Sequence, residues 1–235
     1  MSARPDARQR TQALPERVAA VLARAGISPS ELGAGRLAGL KEGQREFYLW
    51  ILRCFASRGR PSRAQLHDVA ARLCDEPEGT FARLARHDLV HLDSDGEIAV
   101  AYPFSGRPTA HRVRFPSGHE THAMCAIDAL GIAPMFDQTI EVRSLDPLTG
   151  AAIRTRVAPG GEATWEPHTA VVGAGSLHRH GDACDSCCSV LNFFATQRNA
   201  ELWFAERPPI RGRTISMDIA VAAGRAVFGG VFECR

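Results

Sequence analysis

Two stretches of the chain hold residue types that can do chemistry. The first is Thr121 to Gly131 (THAMCAIDALG), in which Cys125 and Asp128 stand three positions apart. Alanine-rich and apolar at Met124, Ile127 and Leu130, the stretch predicts a short helix stopped by Gly131 and Pro134. On a helix, side chains three apart meet on one face. A thiol beside a carboxyl is then a nucleophile or soft metal ligand with a proton carrier next to it. The plainer reading makes Cys125 a small core residue, because free cysteine is among the most buried residue types. The second stretch is Cys184-x-x-Cys187-Cys188, three thiols within five residues. With His178 and His180 upstream these could close a four-ligand zinc site, although no second Cys-x-x-Cys pair is present. A soft metal that takes two thiolates needs less: Cys125 and one of Cys187 and Cys188, if the fold brings them together.

The elements that must position these groups are legible in outline. Pro15 to Ala25 has helical spacing between Pro and Gly26, and residues 27–40 read as loop or short turns. Leu40 to Ser57 is a strongly apolar helix ended by Gly59 and Pro61. Ser62 and Gln65 form a capping-box pattern before the next helix. Pro77 to His87 is a third. Residues 89–92 and 97–100 flank Asp93-Ser94-Asp95-Gly96 and predict a β-hairpin. Three helices and a hairpin are the order of a winged helix. The six arginines scattered over it (58, 60, 63, 72, 83 and 86) fit either a DNA-binding module or a helical cap with no nucleic-acid role.

Residues 102–108 form a turn-rich joint and a candidate boundary. Beyond it, His111 to Phe115 should be a strand. Residues 139–144 and 152–157 alternate and are joined by Asp146-Pro147-Leu148-Thr149-Gly150, a hairpin turn. Thr169 to Val172 is a further short strand, and residues 178–182 a polar loop. Cys188 to Ala195 could open a strand or a helix, Asn199 to Glu206 is helical up to Pro208, and Ile215 to Phe232 has helical character. His111, His119 and His122 flank the first site and are expected at surface or strand-end positions. Cys54, Cys74 and Cys234 are expected to be inert. The fold class is α+β: an extension at 1–39, a winged-helix-like helical domain at 40–105, and an antiparallel β core with flanking helices at 106–235.

Composition narrows the class. The 235 residues are 45% hydrophobic and 23% charged, enough for a real core. A formal charge of +2 and the lack of a dense basic helix count against DNA as a partner. No run of 18 apolar residues suggests a membrane span, and the polar, arginine-rich residues 1–16 do not resemble a secretory signal. Seven cysteines, an odd number in a chain this long, fit reduced thiols in the cytoplasm better than a disulfide framework.

The motifs together resemble the organomercurial lyase (alkylmercury lyase) family. The resemblance runs from about Gly59 to Phe232 and rests on Cys125-Ala126-Ile127-Asp128, the Thr149-Gly150 turn, and Cys188 ahead of Phe193-Phe194-Ala195. The family's helical N-terminal domain has its counterpart at about residues 40–100. Departures are Met124 where the family often has a bulky aromatic, Cys187 in place of a larger apolar group, and Asp146 near the position of a structural cysteine in some members. The resemblance implies cleavage of a carbon–mercury bond by protonolysis. Cys125 and Cys188 would bind and activate mercury, Asp128 would carry the proton and act as a third ligand, and Cys187 would be an extra ligand or relay. No resident cofactor is implied. Hg(II) is a bound product, and external thiols or a mercuric reductase would accept it. The competing reading is a non-catalytic soft-metal or thiol-redox sensor that binds DNA through the winged helix.

Overall fold

The computed structural model describes residues 15–24, 32–177 and 188–233. The expected polar loop at 178–182 and the cysteines at 184, 187 and 234 lie outside the described residues.

Four helices come first: α1 (Glu16–Arg24), α2 (Glu42–Ser57), α3 (Arg63–Leu73) and α4 (Pro77–Arg86), with a 3-10 turn (Gly33–Leu37) between the first two. Local sequence explains their ends. Ser62 Oγ accepts from Gln65 N while Gln65 Oε1 accepts from Ser62 N, so the capping box forms and α3 starts where the sequence says. Pro77 occupies the first turn of α4, where its missing N–H costs nothing. Phe47, Ile51, Leu52 and Phe55 of α2 are wholly buried.

The hairpin β1 (Val90–Leu92) and β2 (Ile98–Ala101) follows. It is joined through β3 (Phe104–Ser105) and β5 (Glu120–Ala123) to β4 (Arg112–Arg114), β6 (Ile140–Leu145), β7 (Ala152–Val157) and β8 (Ala163–Glu166). The result is one antiparallel sheet in the order β1-β2-β3-β5-β4-β6-β7-β8. Its strands alternate as a half-buried sheet must. In β6, Ile140, Val142 and Ser144 point inward and Glu141, Arg143 and Leu145 outward. A second sheet centres on β9 (Val171–Leu177), flanked by β10 (Asn192–Phe194) and β11 (Ile210–Ser216). Three more helices follow among the described residues: α5 (Ala126–Phe136), α6 (Gln197–Ala205) and α7 (Met217–Phe228).

The helix expected over residues 121–131 is placed differently. Residues 120–123 are strand β5, Cys125 is the N-cap with extended backbone, and α5 runs from 126 through Gly131 and Pro134 to Phe136. Gly131 does not stop the helix because it is where α5 meets α7. A Cβ on Gly131 would come within 2.8 Å of the Gly224 carbonyl, and one on Gly224 within 2.8 Å of the Gly131 nitrogen. Two glycines let the backbones touch. Ala126 to Ala133 are buried without exception, so α5 is held by packing on every face, which outweighs the hydrogen bond that Pro134 cannot donate. Strand β11 also escaped the sequence pattern, being interrupted by Gly212. A Cβ there would run into the Phe204 ring, so glycine is what lets α6 lie on the strand.

Candidate functional site

Cys125 is held at a strand-to-helix corner. β5 delivers it, Ala126 N bonds Leu191 O at 2.9 Å, and Met124 N bonds Pro103 O at 3.0 Å. As the N-cap of α5, Cys125 directs its sulfur back over the first turn and accepts from Asp128 N at 3.4 Å. Cys125 and Asp128 therefore meet through a capping relation, residue N-cap to N3, and not by stacking along a helix face. Both are almost fully buried, at 2% and 6% exposed.

Cys188 comes from the other side. It begins a 3-10 turn (Cys188–Val190) that leads into β10. The segment is fastened at three points: the Ala126–Leu191 bond, the β10–β9 pairing, and Asp146. The Asp146 carboxylate sits at the start of the β6–β7 turn. Its Oδ1 accepts from Leu148 N (2.8 Å) and Thr149 N (3.1 Å), and its Oδ2 from Ala195 N (2.8 Å) and Asn199 Nδ2 (2.8 Å). Burial pushes its pKa up, yet these hydrogen bonds outweigh burial and hold it below the usual carboxylate range. His111 supports the same arm. It stands at the end of β4, one of the two expected positions, but buried and not at the surface, with Nδ1 2.9 Å from Ser144 Oγ, a hydrogen bond to Asn192, and its ring edge-on to Phe193 at 5.6 Å. Burial pushes its pKa down to about 4.

The two arms bring Cys125, Asp128 and Cys188 together. The two sulfurs and a carboxylate oxygen all lie within 4.8 Å of one another. Cys188 Sγ is 3.8 Å from Asp128 Oδ2 and 3.6 Å from the Tyr102 hydroxyl. Among the described residues this is the one cluster of three or more His, Cys, Asp or Glu able to hold a metal ion. Two metal–sulfur bonds of about 2.3 Å, the length found for zinc thiolates, would span such a gap.

The electrostatics suit a base beside a neutral thiol. Burial pushes the Cys125 thiol up to about 12, partly opposed by hydrogen bonding with Cys188, so it is protonated at neutral pH. Burial also pushes Asp128 up, to about 6, opposed by hydrogen bonding with Cys125, the Arg36 charge and hydrogen bonding with Cys188. Near neutrality the carboxylate is thus mostly ionised but readily protonated, the condition that suits a proton carrier.

The wall around the site comes from residues the sequence did not single out. Tyr102 is buried and its hydroxyl faces Cys188. The Tyr48 hydroxyl of α2 donates to the Tyr102 carbonyl at 2.7 Å. The Arg36 guanidinium lies 5.8 Å from the Tyr102 ring centre and 5.5 Å from that of Phe228. No local pattern marks Tyr102, which sits in a stretch that reads as a turn. Of the other cysteines, Cys54 and Cys74 are buried in the helical part, and Arg58 donates to Cys54 Sγ at 3.1 Å.

Two buried thiols and a carboxyl converge at a strand–helix corner of an α+β scaffold, a donor set that could hold a soft metal ion. The family model for MerB, alkylmercury lyase, matches residues 104–229, just over half of the chain and inclusive of all three side chains. The chain belongs to the alkylmercury lyase family. Relatives named alkylmercury lyase from Bacillus cereus and Clostridium butyricum are each 28% identical over 136 residues, 58% of this chain. That match spans 61% of the length of each relative. Among solved structures, the mercury-bound form of MerB2 superposes with a TM-score of 0.65 at 18% identity, covering 81% of this chain and 92% of that one, a likeness of fold.

Proposed function

We propose that the protein cleaves the carbon–mercury bond of organomercurials by protonolysis, releasing a hydrocarbon and leaving Hg(II) on two sulfurs. The observation that carries this reading is the convergence of Cys125, Cys188 and Asp128 within 4.8 Å in a buried site. Family membership supports it.

The steps balance without any change in oxidation state. The Asp128 carboxylate takes the proton of the Cys125 thiol. The resulting thiolate bonds mercury in R–Hg–X and displaces X⁻ with its electron pair. The Cys188 thiol then becomes the second sulfur ligand and gives up its proton. A proton held by Asp128 passes to carbon as the carbon–mercury bond opens, and the pair from that bond becomes the new C–H bond. The sum is R–Hg–X plus two thiols giving R–H, Hg(II) bound by Cys125 and Cys188, H⁺ and X⁻. A second sulfur donor raises electron density on mercury and makes carbon easier to protonate. Asp128 is spaced to serve both sulfurs, and a proton carrier so placed contributes about 10²–10⁴ in rate. Asp128 is also a third ligand for the product, and Cys187 an accessory thiol.

In this reading residues 40–105 act as a cap and residues 106–235 as the core that carries the site. The protein works in the cytoplasm, where external thiols or a mercuric reductase take up the Hg(II). No helix among the described residues is long and apolar enough to cross a membrane. The reading is tested by headspace measurement of benzene released from phenylmercuric acetate by the wild type and by Cys125→Ala, Asp128→Ala and Cys188→Ala. Turnover at the wild-type rate in the Cys125 and Asp128 variants ends the assignment.

A further inference from the structure

We propose that Tyr102 is a positioning residue for Cys188, its hydroxyl donating a hydrogen bond that fixes the sulfur where mercury must be met. The inference rests on the lyase reading above for its functional meaning, and on three observations for its geometry.

The first is the hydroxyl's surroundings. Tyr102 is 2% exposed, and the partner found for its hydroxyl among the described residues is Cys188 Sγ at 3.6 Å. A buried phenol that does not donate leaves a polar hydrogen unpaired, at a cost of about 1–3 kcal/mol. The second is the proton inventory. The Cys188 thiol has one hydrogen, and the acceptors in its reach include Tyr102 Oη, the Cys125 sulfur and Asp128 Oδ2 at 3.8 Å. An ionised carboxylate is the strongest acceptor of these. The thiol hydrogen therefore points to Asp128, and the phenol hydrogen points to the sulfur. The third is rigidity. Tyr102 N bonds Leu89 O at 3.0 Å, its carbonyl accepts from Tyr48, and Pro103 O accepts from Met124 N. The backbone that carries the phenol is thus fixed between the helical part and the end of β5.

The consequence follows from the reaction. When Cys188 surrenders its hydrogen and takes mercury, its link to Asp128 through that hydrogen is gone, while the link to Tyr102 survives. The hydroxyl then keeps the sulfur aimed at the gap beside Cys125 and stabilises the charge that the thiolate carries. Hydrogen bonds to charged groups are worth more than neutral ones, so the loss should be visible in turnover.

The test uses the full chain. Tyr102→Phe keeps the ring and removes the donor. Benzene release from phenylmercuric acetate should show kcat lower by about tenfold, with KM changed by less than about a factor of two, because substrate entry does not depend on the hydroxyl. A second readout needs no turnover. On titration with mercuric chloride, the thiolate-to-mercury charge-transfer absorption should move to longer wavelength in Tyr102→Phe, since an unbonded sulfur gives up its electrons more easily. Because the chain has only two tyrosines, 3-fluorotyrosine incorporated into a Tyr48→Phe background labels Tyr102 alone. This stronger donor should move the band the other way, so that arm still decides the matter if Tyr102→Phe does not fold. A wild type that binds mercuric ion but releases no benzene defeats the lyase reading and leaves the band to judge Tyr102. A band unmoved by either change, or an unaltered kcat in a folded Tyr102→Phe, overturns the inference. A wild type that gives no band at all overturns both.

Discussion

The two halves of the site are built in opposite ways. The Cys125 half is a corner between β5 and α5, in which the chain's own local geometry brings thiol and carboxyl together: residue N-cap meets residue N3. The Cys188 half is a 3-10 turn and a three-residue strand with little regular structure of its own. It is fixed from outside by Asp146, His111, the Ala126–Leu191 bond and the β9 pairing. One half is preorganised by secondary structure, the other by tertiary hydrogen bonds. The difference teaches where each is vulnerable: the first to changes in helix packing, the second to the loss of single polar side chains.

The sharpest way to break the comparison is to remove each sulfur in turn. Cys125→Ala and Cys188→Ala should each reduce benzene release by about 10⁴-fold or more, as expected for groups that act as a unit, and the double variant should be little worse than either. Additive losses would mean that the two halves do not form one site. Asp128→Ala should cost about 10²–10⁴ in kcat while the protein still takes up mercuric ion, since both sulfurs remain.

Stability separates the halves next. Asp146→Ala strips the buried donor Ala195 N and the half-buried Asn199 Nδ2 of their acceptor, and also frees Leu148 N and Thr149 N at the turn. It should lower unfolding free energy by on the order of 4 kcal/mol. Hydrogen exchange should quicken in residues 188–195 before it does in α5; the reverse order would show that Asp146 does not serve the Cys188 half.

Acid should act on the same half through His111. Its folded pKa, about 4, lies below the ordinary value of 6.5, so between those limits the unfolded chain binds a proton that the folded chain refuses. The stability that depends on neutral His111 is complete above pH 6.5 and is lost as pH falls to about 4, a change on the order of 3 kcal/mol. Urea unfolding at pH 7 and pH 4.5 of the wild type and His111→Gln checks it. A His111→Gln variant with the wild-type decline over that window would place the titration elsewhere.

The smallest effect belongs to the Cys125 half. Gly131→Ala forces α5 and α7 apart where their backbones touch, and should cost about 1–3 kcal/mol in denaturant unfolding, the range for overpacking a core. A neutral result would show that the helix pair has slack there.

Much of the molecule is legible in its residues. Ser62 and Gln65 announce the start of α3, and Asp146 to Gly150 the β6–β7 turn, because caps and turns are satisfied by atoms a few residues away. Cys125 and Asp128 are readable for the same reason, although the helix first drawn through them proved to be a strand, a cap and a longer helix. Gly131 and Pro134 mislead when read alone, since their local preference for ending a helix is overruled by burial on all sides and by Gly224 on the facing helix. Strand β11 is hidden because Gly212 matters only to the Phe204 ring that lies over it.

The sequence by itself determined the chemistry available: which side chains are nucleophiles, which is the carboxyl, and that Cys125 and Asp128 are close. Only the tertiary structure decided that Cys188, sixty positions beyond Asp128, completes the group, that Tyr102 faces it, and that burial sets Asp128 near 6 and Cys125 near 12. The physical reason is range. Caps, turns and residue types act over one or two helical turns, whereas desolvation and the meeting of distant side chains exist only once the core has closed around them.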